Sequence, residues 1–455
     1  MRSILMLFED AAYRRFAPLT HTRPVYELVC GLMSLRERCE RAHGQKAILI
    51  CRTHLAQHLK ETTGRRVNEL PVGARRGASR AASRGASRAA SRGASRAASV
   101  GTSSESRGTV LLLNGRILDP FSLVPLLEQS VGPAMWWNGI ELIAARLLAS
   151  EVRDLMANLR ANDQILELGM LSRRPRHLAP VPIIEQPWEL ALQNGERISA
   201  DVSAFGLRAQ SLPLPPGVHR VGRAPLILAP GAEVEPGAVL VTRAGPIVVG
   251  HGAHIAGLTR LEGPAAVGAR SLIVGGRIRA GTTIGPGCRI AGEVEASIFH
   301  GRANKYHDGF IGHSYVGEWV NLGAMTTNSD LKNTYGTVKV WSEGKLVDTR
   351  EQKVGALIGD HAKTGIGSLL DTGAVVGIAA NVYGGSAVLA TKWIPSFAWG
   401  APPKLVVHDP VRALTTMDEV MRRRGVTLTA AYRAMIKEVF ALTRGERQFA
   451  GIAED

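Results

Sequence analysis

The residues best suited to proton chemistry lie in one short stretch, NKYHDGFIGHSYVGEWVNLGAMTTN, at positions 304–328. It contains His307 and His313, and an imidazole can accept or donate a proton near neutral pH. Asp308 is available to orient His307, whereas His313 lies in a glycine-flanked segment beside Tyr315. The stretch therefore predicts an acid–base site, with His313 as the favoured base and His307 as the alternative.

Small apolar residues recur at every sixth position on both sides of this stretch, from about residue 228 to 390. A six-residue period is typical of a parallel β-solenoid, in which short strands stack coil on coil. We therefore expect residues 304–328 to form a loop that interrupts a rigid solenoid. The inward positions are predicted at Leu228, Val234, Leu240, Val249, Ile255, Leu261, Val267, Ile273, Ile278, Ile284, Ile290, Ile358, Thr364, Leu370, Val376, Val382 and Val388.

The part of the chain before the solenoid alternates strand and helix patterns, which predicts an α/β domain with a parallel sheet over residues 1–205. A connector is predicted at the Pro-rich stretch Pro175–Pro187 and the following residues 188–201, and it leads into the solenoid at 206–405. A helical tail at 406–455 is expected to cap the last coil. The predicted strands are Ser3–Phe8, Lys46–Cys51 and Thr109–Asn114, and the predicted helices are Leu35–His43, His54–Thr62, Gly139–Leu159, Met417–Arg424 and Thr429–Leu442.

The net charge of +16 is concentrated in part in one low-complexity block. Residues 76–99 are three copies of RGASRAAS, and without their six arginines the net charge is +10 (16 − 6). The repeat has no apolar side chain larger than Ala and cannot bury a core, so the stretch at about 73–107 that contains it is predicted to be a disordered insertion. No aromatic residue alternates with these arginines for base stacking, so a nucleic-acid partner is not expected. An arm that binds polyanions stays open as an alternative.

The N-terminal apolar run is too short for a signal peptide, and no stretch has the length of a transmembrane span. A cytoplasmic location without a membrane partner is therefore expected.

Two longer segments resemble a known family: FEDAAYRRFAPLTHTRPVYELVCGLMSLRERCER at 8–41, and residues 304–341, which extend the first stretch to NSDLKNTYGTVKVW. They resemble the bifunctional enzyme of UDP-N-acetylglucosamine synthesis, and more closely its divergent bacterial relatives of the sugar nucleotidyltransferase type. The resemblance implies an N-terminal uridylyltransferase domain, followed by a left-handed β-helix that forms a homotrimer. It further implies that the β-helix acetylates glucosamine 1-phosphate with acetyl-CoA.

The resemblance also implies roles for individual residues of 304–328. His313 matches the catalytic base of the family. The other matching residues are Tyr315 and Asn321 for substrate binding, Ala324 for a backbone contact to coenzyme A, Asn328 near the acetyl group, and Lys305 for the sugar phosphate.

Nucleotidyl transfer depends mainly on positioning and on neutralising phosphate charge. The first domain lacks the glycine-rich loop G-x-G-x-R that is common in this superfamily. In its place it offers PLTHTRP at 18–24, where Arg23 is expected to hold a phosphate. The resemblance implies Mg²⁺, for which Asp119 is the candidate ligand and Asn114 the alternative.

The sequence thus predicts a transferase with two activities: sugar-1-phosphate nucleotidyl transfer and amino-sugar-phosphate N-acetyl transfer, together making a UDP-N-acetylglucosamine-type product. One alternative is an enzyme with a single activity, such as a nucleotidyltransferase whose solenoid only trimerises. The other is a non-enzymatic scaffold that binds polyanions through the arginine repeat.

Overall fold

The computed structural model describes residues 3–70, 108–130, 132–161, 174–207 and 214–453. The predicted insertion at 73–107 lies entirely outside this part of the chain, so its disorder stays a prediction. The domain boundaries given above likewise stay predictions.

The N-terminal domain is an α/β domain built on one six-stranded sheet, as predicted. Helix α1 begins at a capping box, in which Ser34 and Glu37 satisfy each other's backbone N–H, and ends at Gly44. The strands are β1 (Ile4–Phe8), β2 (Val29–Cys30), β3 (Met33–Ser34), β4 (Ile48–Leu49), β5 (Thr109–Asn114), β6 (Ala134–Asn138), β7 (Glu141–Leu148) and β8 (Arg176–Leu178). The helices are α1 (Leu35–His43), α2 (Thr53–Thr63), α3 (Pro120–Glu128), α4 (Ala149–Ala161), α5 (Pro187–Leu192) and α6 (Asn194–Ala204).

The strand order of this sheet is β4-β1-β5-β7-β6-β8. Strand β1 pairs in parallel with β4 and β5, and β6 with β8, but β7 runs antiparallel to both β5 and β6. The prediction of a parallel sheet is therefore wrong for its centre, and the sheet is mixed. The helix predicted over Gly139–Leu159 is wrong in its first half, which forms strand β7, and α4 begins only at Ala149. The segment ELIAARLL contains good helix formers, but pairing on both edges makes it a central strand.

Residues 219–407 form a parallel β-solenoid, as predicted. Its strands are β9 (His219–Gly222), β10 (Leu226–Leu228), β11 (Glu233–Val234), β12 (Val239–Thr242), β13 (Ile247–Val249), β14 (His254–Ile255), β15 (Arg260–Glu262), β16 (Ala265–Val267), β17 (Leu272–Ile273), β18 (Arg277–Ile278), β19 (Thr282–Ile284), β20 (Arg289–Ile290), β21 (Glu293–Glu295), β22 (Ile298–Gly301), β23 (Asn304–Lys305), β24 (Phe310–Gly312), β25 (Tyr315–Glu318), β26 (Asn321–Leu322), β27 (Thr327–Asn328), β28 (Lys339–Ser342), β29 (Lys345–Asp348), β30 (Leu357–Ile358), β31 (Lys363–Thr364), β32 (Leu369–Leu370), β33 (Val375–Val376), β34 (Asn381–Val382), β35 (Trp393–Ile394), β36 (Ala398–Ala401) and β37 (Lys404–Val407). Each coil has three sides, and each side with its turn takes about six residues, which produces the six-residue rhythm of the sequence. The predicted inward residues are buried except for the half-buried Leu228.

The coils stack into three sheets. The first sheet has the order β24-β21-β18-β15-β12-β9, and the pair β27-β32 lies beyond it. The second sheet has the order β10-β13-β16-β19-β22-β25-β30-β33-β35. The third sheet has the order β11-β14-β17-β20-β23-β26-β31-β34-β36-β37 and ends in an antiparallel hairpin.

The predicted interruption at 304–328 is wrong, because these residues continue the stack as strands β23–β27. The six-residue rhythm fails there because polar side chains occupy inward positions. Lys305 lies in register with Ile290, and its ammonium group is satisfied by backbone carbonyls inside the coil. The true interruption is residues 329–356, which leave the stack, form the β28–β29 hairpin and return to β30.

The remaining elements pack along the side of the solenoid. Helices α5 and α6 lie in the segment predicted to be a connector, and Asn194 of α6 donates to the Gly281 carbonyl. The tail forms α7 (Pro410–Arg422), α8 (Ala430–Leu442) and α9 (Arg444–Phe449). It contacts the last coil, where Phe440 packs edge-on against Phe397, but α8 also reaches back to α2. Within the described residues, no helix is both long and apolar enough to cross a membrane.

Candidate functional site

His313 lies in the tight turn that joins β24 of the first sheet to β25 of the second. Its backbone has a φ of +48°, a left-handed conformation that costs a non-glycine residue about 1 kcal/mol or more. Hydrogen bonds on both sides hold it there: His313 N–H donates to the Glu295 carbonyl at 3.0 Å, and Gly355 N–H donates to the His313 carbonyl at 2.9 Å. The turn is therefore fixed before any ligand arrives.

Gly355 is required at this turn because the returning chain passes very close to it. A Cβ at this position would lie 1.8 Å from the Gly312 carbonyl oxygen and 2.3 Å from Ser314 Oγ. Any side chain here would push the insertion away from the turn. The glycine thus couples the end of the 329–356 insertion to the position of His313.

The imidazole of His313 is paired with a carboxylate. Its Nδ1 lies 2.7 Å from Asp330 Oδ2, and the two side chains are 11% and 14% exposed. Burial alone would raise the pKa of Asp330, but the hydrogen bond and charge of His313 hold that pKa below its ordinary value. An ionised carboxylate on Nδ1 fixes the tautomer with the proton on Nδ1 and leaves Nε2 free to accept a proton.

Asn328 lies at the same turn and positions it. Its Oδ1 accepts from Gly312 N–H at 2.9 Å and its Nδ2 donates to the Gly312 carbonyl at 3.1 Å. The side chain is 1% exposed, so its amide is used by the protein backbone. The structure therefore brings Asn328 together with His313, as a residue that holds the turn.

Asp330 was missed by the sequence reasoning, although it lies within the segment that resembles the known family. The sequence does contain a clue to Asp330, because this carboxylate follows His313 by 17 positions, and 17 residues are the length of one solenoid coil. His307, the alternative base, is exposed, and its ring lies edge-on to Tyr306 with centroids 5.6 Å apart. Within the described residues no carboxylate is hydrogen-bonded to His307, so its geometry suits a base less well than that of His313.

The other predicted substrate residues of the solenoid do not lie together. Lys305 is 1% exposed and donates to the Ala291 and His307 carbonyls at 2.9 and 2.8 Å. Burial lowers its pKa to about 8, against a smaller opposite effect of Asp308. Its ammonium group is therefore engaged inside the coil, which departs from the predicted phosphate contact.

Tyr315 is fully buried between the solenoid and the N-terminal domain. Its hydroxyl accepts from Val29 N–H at 2.9 Å and lies 2.8 Å from His300 Nδ1. Burial, followed by the nearby charge of Arg23, lowers the pKa of His300 well below its ordinary value. Tyr315 thus joins the two domains, whereas the resemblance assigned it to the substrate.

Asn321 and Ala324 lie on and just after β26 of the third sheet, whereas His313 lies where the first sheet meets the second. Asn321 is exposed, and its Oδ1 accepts from Asn304 Nδ2 at 2.7 Å. The Ala324 carbonyl accepts from Gly367 N–H at 2.8 Å. Within one chain these two residues therefore line a different side of the coil from the His313 imidazole.

Arg23 of the N-terminal domain is buried against the solenoid. Its guanidinium donates to both oxygens of Asp360, at 3.0 and 2.6 Å, and to Glu318 Oε2 at 3.3 Å. Burial opposes its charge, but Asp360 and Glu318 hold the pKa of Arg23 above its ordinary value. The structure thus gives Arg23 carboxylate partners in the next domain in place of the predicted phosphate.

The acids at the carboxyl edge of the N-terminal sheet are also paired. Arg116 contacts Asp10 and Glu141, and Arg52 donates to Glu9. Asp119, the predicted magnesium ligand, caps α3 by accepting from Phe121 N–H at 3.2 Å, and the alternative Asn114 donates to Asp10. No group of three His, Cys, Asp or Glu side chains suited to a metal occurs in the described parts of the chain.

Comparison with known proteins bears on the two halves separately. Residues 5–208 match the family described as sugar nucleotidyl transferase. The match covers just under half of the chain. The N-terminal domain is nucleotidyltransferase-like. The resemblance predicted from residues 8–41 is thus confirmed for this domain, while a bacterial origin stays a prediction.

Two curated relatives are named as bifunctional proteins. The chain is 34% identical over 96 residues to a bifunctional sugar-1-phosphate nucleotidylyltransferase/acetyltransferase of Sulfurisphaera tokodaii, covering 21% of this chain and 24% of that protein. It is 34% identical over 104 residues to the bifunctional protein GlmU of Methanocaldococcus jannaschii, covering 23% and 25%. The chain thus matches about a quarter of the length of these relatives. The solved structure of Arabidopsis UDP-N-acetylglucosamine acyltransferase covers 53% of this chain and 82% of its own at 13% identity, with a TM-score of only 0.20.

Proposed function

We propose that this protein is a two-domain transferase whose solenoid acetylates an amino-sugar phosphate and whose N-terminal domain transfers a nucleotidyl group to a sugar 1-phosphate. The observation that carries the acetyl-transfer half is the His313 Nδ1–Asp330 Oδ2 pair at 2.7 Å. A fixed imidazole with one free nitrogen is what N-acetylation requires of a base. A relative whose name states both activities supports the pairing of the two halves.

In the proposed reaction the sugar amine attacks the thioester carbonyl of acetyl-CoA, and His313 Nε2 accepts the proton that the nitrogen loses. Asp330 stabilises the imidazolium that forms. The C–S bond then breaks, and the proton on Nε2 passes to the departing thiolate, which leaves as coenzyme A thiol. Atoms and charge balance without a further reactant.

The nucleotidyl-transfer half is supported by the family match over residues 5–208. Magnesium belongs to this proposal by resemblance only. The described residues do not fit a metal site at Asp119, since that carboxylate caps α3 and belongs to no group of three His, Cys, Asp or Glu side chains in this part of the chain. No step of the reaction is therefore assigned to the metal. A homotrimer and a cytoplasmic location complete the proposal and rest on the resemblance.

The acetyl-transfer half is tested by release of coenzyme A thiol from acetyl-CoA and glucosamine 1-phosphate. His313→Ala is expected to lower kcat by about 10²- to 10⁴-fold, the usual contribution of a general base. His307→Ala is the matched control, because it removes an imidazole from the same stretch and is expected to keep the rate within about twofold. Full activity of His313→Ala, or a larger loss in His307→Ala, would show that the base is misassigned.

Asp330 is a positioning residue, so its test needs a readout other than the rate alone. Asp330→Asn is expected to lower kcat by about 10-fold or more while KM changes by less than about twofold, because the imidazole loses the acceptor that fixes its tautomer. Asp330→Glu keeps a carboxylate within reach of Nδ1 and is expected to recover part of the lost rate. Equal losses in both variants would assign Asp330 to folding alone.

The nucleotidyl-transfer half has a separate assay: pyrophosphate release from UTP and N-acetylglucosamine 1-phosphate. Activity here without thiol release would favour the single-activity alternative, in which the solenoid is structural. The buried contacts of Tyr315 and Arg23 between the domains are the observation that favours this alternative.

A further inference from the structure

A cleft of about 510 Å³ on the third solenoid sheet carries an unusual excess of positive charge. It lies between the outer face of that sheet and the end of α7. The residues that line it are Arg289, Arg302, Asn304, Trp319, Val320, Asn321, Lys363, Val420, Arg423 and Arg424. Five of these ten side chains are cationic, and none is acidic.

The solenoid supplies one wall as a straight ladder of polar side chains. Strand register places Arg289 beside Asn304, Asn304 beside Asn321, and Asn321 beside Lys363. Neighbouring parallel strands lie about 4.8 Å apart, so the two cations are separated by three steps, or about 14 Å. Asn321 accepts from Asn304 and keeps its own amide N–H groups to donate.

The end of α7 supplies the other wall. Arg424 is held against the solenoid, where its guanidinium donates to the Gly287 carbonyl at 2.9 Å. Arg423 precedes it and also lines the cleft. Cations are favourable at a helix C-terminus, which explains the presence of both arginines just after α7. The position at a helix end does not explain the presence of Arg289 and Lys363, which line the same cleft from the sheet.

Most of these cations have no anionic partner. Arg302 is paired with Glu318 at 2.8 Å, but no carboxylate of the described residues forms an ion pair with Arg289, Lys363, Arg423 or Arg424. Burial lowers the pKa of Lys363 to about 8, and burial together with Arg289 lowers the pKa of Arg424. Grouped cations without counter-charge repel one another and favour an anionic ligand.

We propose that this cleft binds a ligand that carries two or more linked phosphate groups. One phosphate is too small to contact both ends of the ladder, whereas a diphosphate with an attached group spans it. Arg289, Arg423 and Arg424 neutralise the phosphates, and the Asn304–Asn321 pair provides hydrogen bonds for an adjacent hydroxyl group. The site lies on another side of the coil from His313, and the proposal stands whether or not His313 catalyses acetyl transfer.

Two sources could supply such a ligand: coenzyme A, with its diphosphate and 3′-phosphate, and a nucleoside diphosphate sugar. Binding of coenzyme A, 3′-dephospho-coenzyme A and UDP-N-acetylglucosamine to the full-length protein distinguishes them. Tighter binding of coenzyme A, reduced by loss of the 3′-phosphate, assigns the cleft to an acyl donor. Tighter binding of the nucleotide sugar assigns it to a product that acts at a second site. Either result supports the proposal.

The direct test uses pyrophosphate and ADP as probes by isothermal titration calorimetry at low ionic strength. Arg423→Gln is expected to raise the Kd of both probes by about 10-fold, and Arg289→Gln by a similar factor. Arg422→Gln is the matched control, because Arg422 is the preceding residue, is exposed and pairs with Glu419 at 2.6 Å. It is expected to change the Kd by less than twofold.

Hydrogen exchange locates the binding, since the N-terminal domain could also bind pyrophosphate. Protection by the ligand is expected at the end of α7 and along β31, and it is expected to be lost in Arg423→Gln. Pyrophosphate release by the N-terminal domain should be the same in wild type and variant. Unchanged affinity and protection in Arg423→Gln, or equal losses in the Arg422→Gln control, would overturn the proposal.

Discussion

Two arginine-rich regions meet the same solenoid and differ in how their charge is balanced. At the interface with the N-terminal domain, Arg23 donates to Asp360 and Glu318, and Glu318 also accepts from Arg302. In the cleft of the third sheet, Arg289 and Arg423 have no carboxylate partner among the described residues. Residue type alone does not distinguish these regions, since both are dense in arginine.

The difference separates structural charge from charge that is available to a ligand. A buried guanidinium between two carboxylates balances their charge, so removing it leaves an uncompensated buried charge. A guanidinium that faces only other cations contributes repulsion to the folded state. The first kind should therefore be essential for stability, and the second should be dispensable for it.

The largest effect is expected at the interface. Arg23→Ala should lower the free energy of unfolding by about 3–5 kcal/mol, because Asp360, 2% exposed, loses its cation. Urea denaturation measures this. Lys60→Ala, which breaks the exposed pair with Glu69, is the control and should cost less than about 1 kcal/mol. A loss below 1 kcal/mol in Arg23→Ala would erase the distinction between the two regions.

The buried histidine next to Asp360, His361, should also make the protein less stable in acid. His361 Nε2 lies 2.8 Å from the Tyr432 hydroxyl, and its ring stacks on Trp319. Burial, then the charges of Lys363 and Arg23, lower its pKa well below 6.5, so the unfolded chain binds more protons there than the folded chain. Stability must then fall as the pH falls below 6.5.

His361 is expected to contribute at most about 2 kcal/mol to the change between pH 8 and pH 5, the limit set by its ordinary pKa of about 6.5. Urea unfolding of His361→Gln at both pH values should show a smaller difference than the wild type, since glutamine does not titrate. Identical pH dependence in the variant and the wild type would contradict a neutral buried histidine.

The affinity of the cleft for anions should fall as the pH rises, whereas the stability of the fold falls as the pH is lowered. Lys363, with a pKa of about 8, loses its proton between pH 7.5 and 9.5, while the surrounding arginines stay charged. Affinity for ADP, whose phosphate charge is constant in this range, should therefore fall by about 5-fold or more. Calorimetry on Lys363→Met should show an affinity that no longer depends on pH. A pH dependence that survives this change would place the titrating group elsewhere.

The smallest effect is expected for the stability of the cleft variants. Arg423→Ala should change the free energy of unfolding by no more than about 0.5 kcal/mol, because an exposed side chain that faces other cations is removed. Thermal unfolding in the absence of phosphate compounds measures it. A loss comparable to that of Arg23→Ala would mean that Arg423 has a structural role and that the two regions do not differ in kind.

The sequence predicts the solenoid well because burial repeats with a fixed period in every coil. The same rule fails at Lys305 and Asn328, where polar side chains lie inward and bond to the backbone, which no periodicity of apolar residues reveals. In the N-terminal domain the helix prediction fails at Glu141–Leu148, because pairing with strands on both sides outweighs helix propensity.

The site is predictable only in part. His313 is recognised from its local motif, but its carboxylate partner is one coil away and becomes adjacent only when the coils stack. The partner of Arg23 is farther still, 337 positions along the chain, so nothing local marks this arginine as an interface residue. Local patterns therefore identify the reactive side chain, and long-range contacts decide what surrounds it.

The 329–356 insertion has a consequence for how such a fold can acquire new chemistry. Before the insertion, residues that touch on neighbouring coils are 17 positions apart in the sequence, as Asn304 and Asn321 are. Across the insertion, Glu318 contacts Asp360, which lies 42 positions later. Because the entropy of loop closure grows only with the logarithm of loop length, the longer connection costs about 0.8 kcal/mol more. A rigid stack can therefore accept a long excursion at almost any turn, and here that excursion delivers the acid beside His313. Evolution can lengthen a single turn without changing how the coils stack.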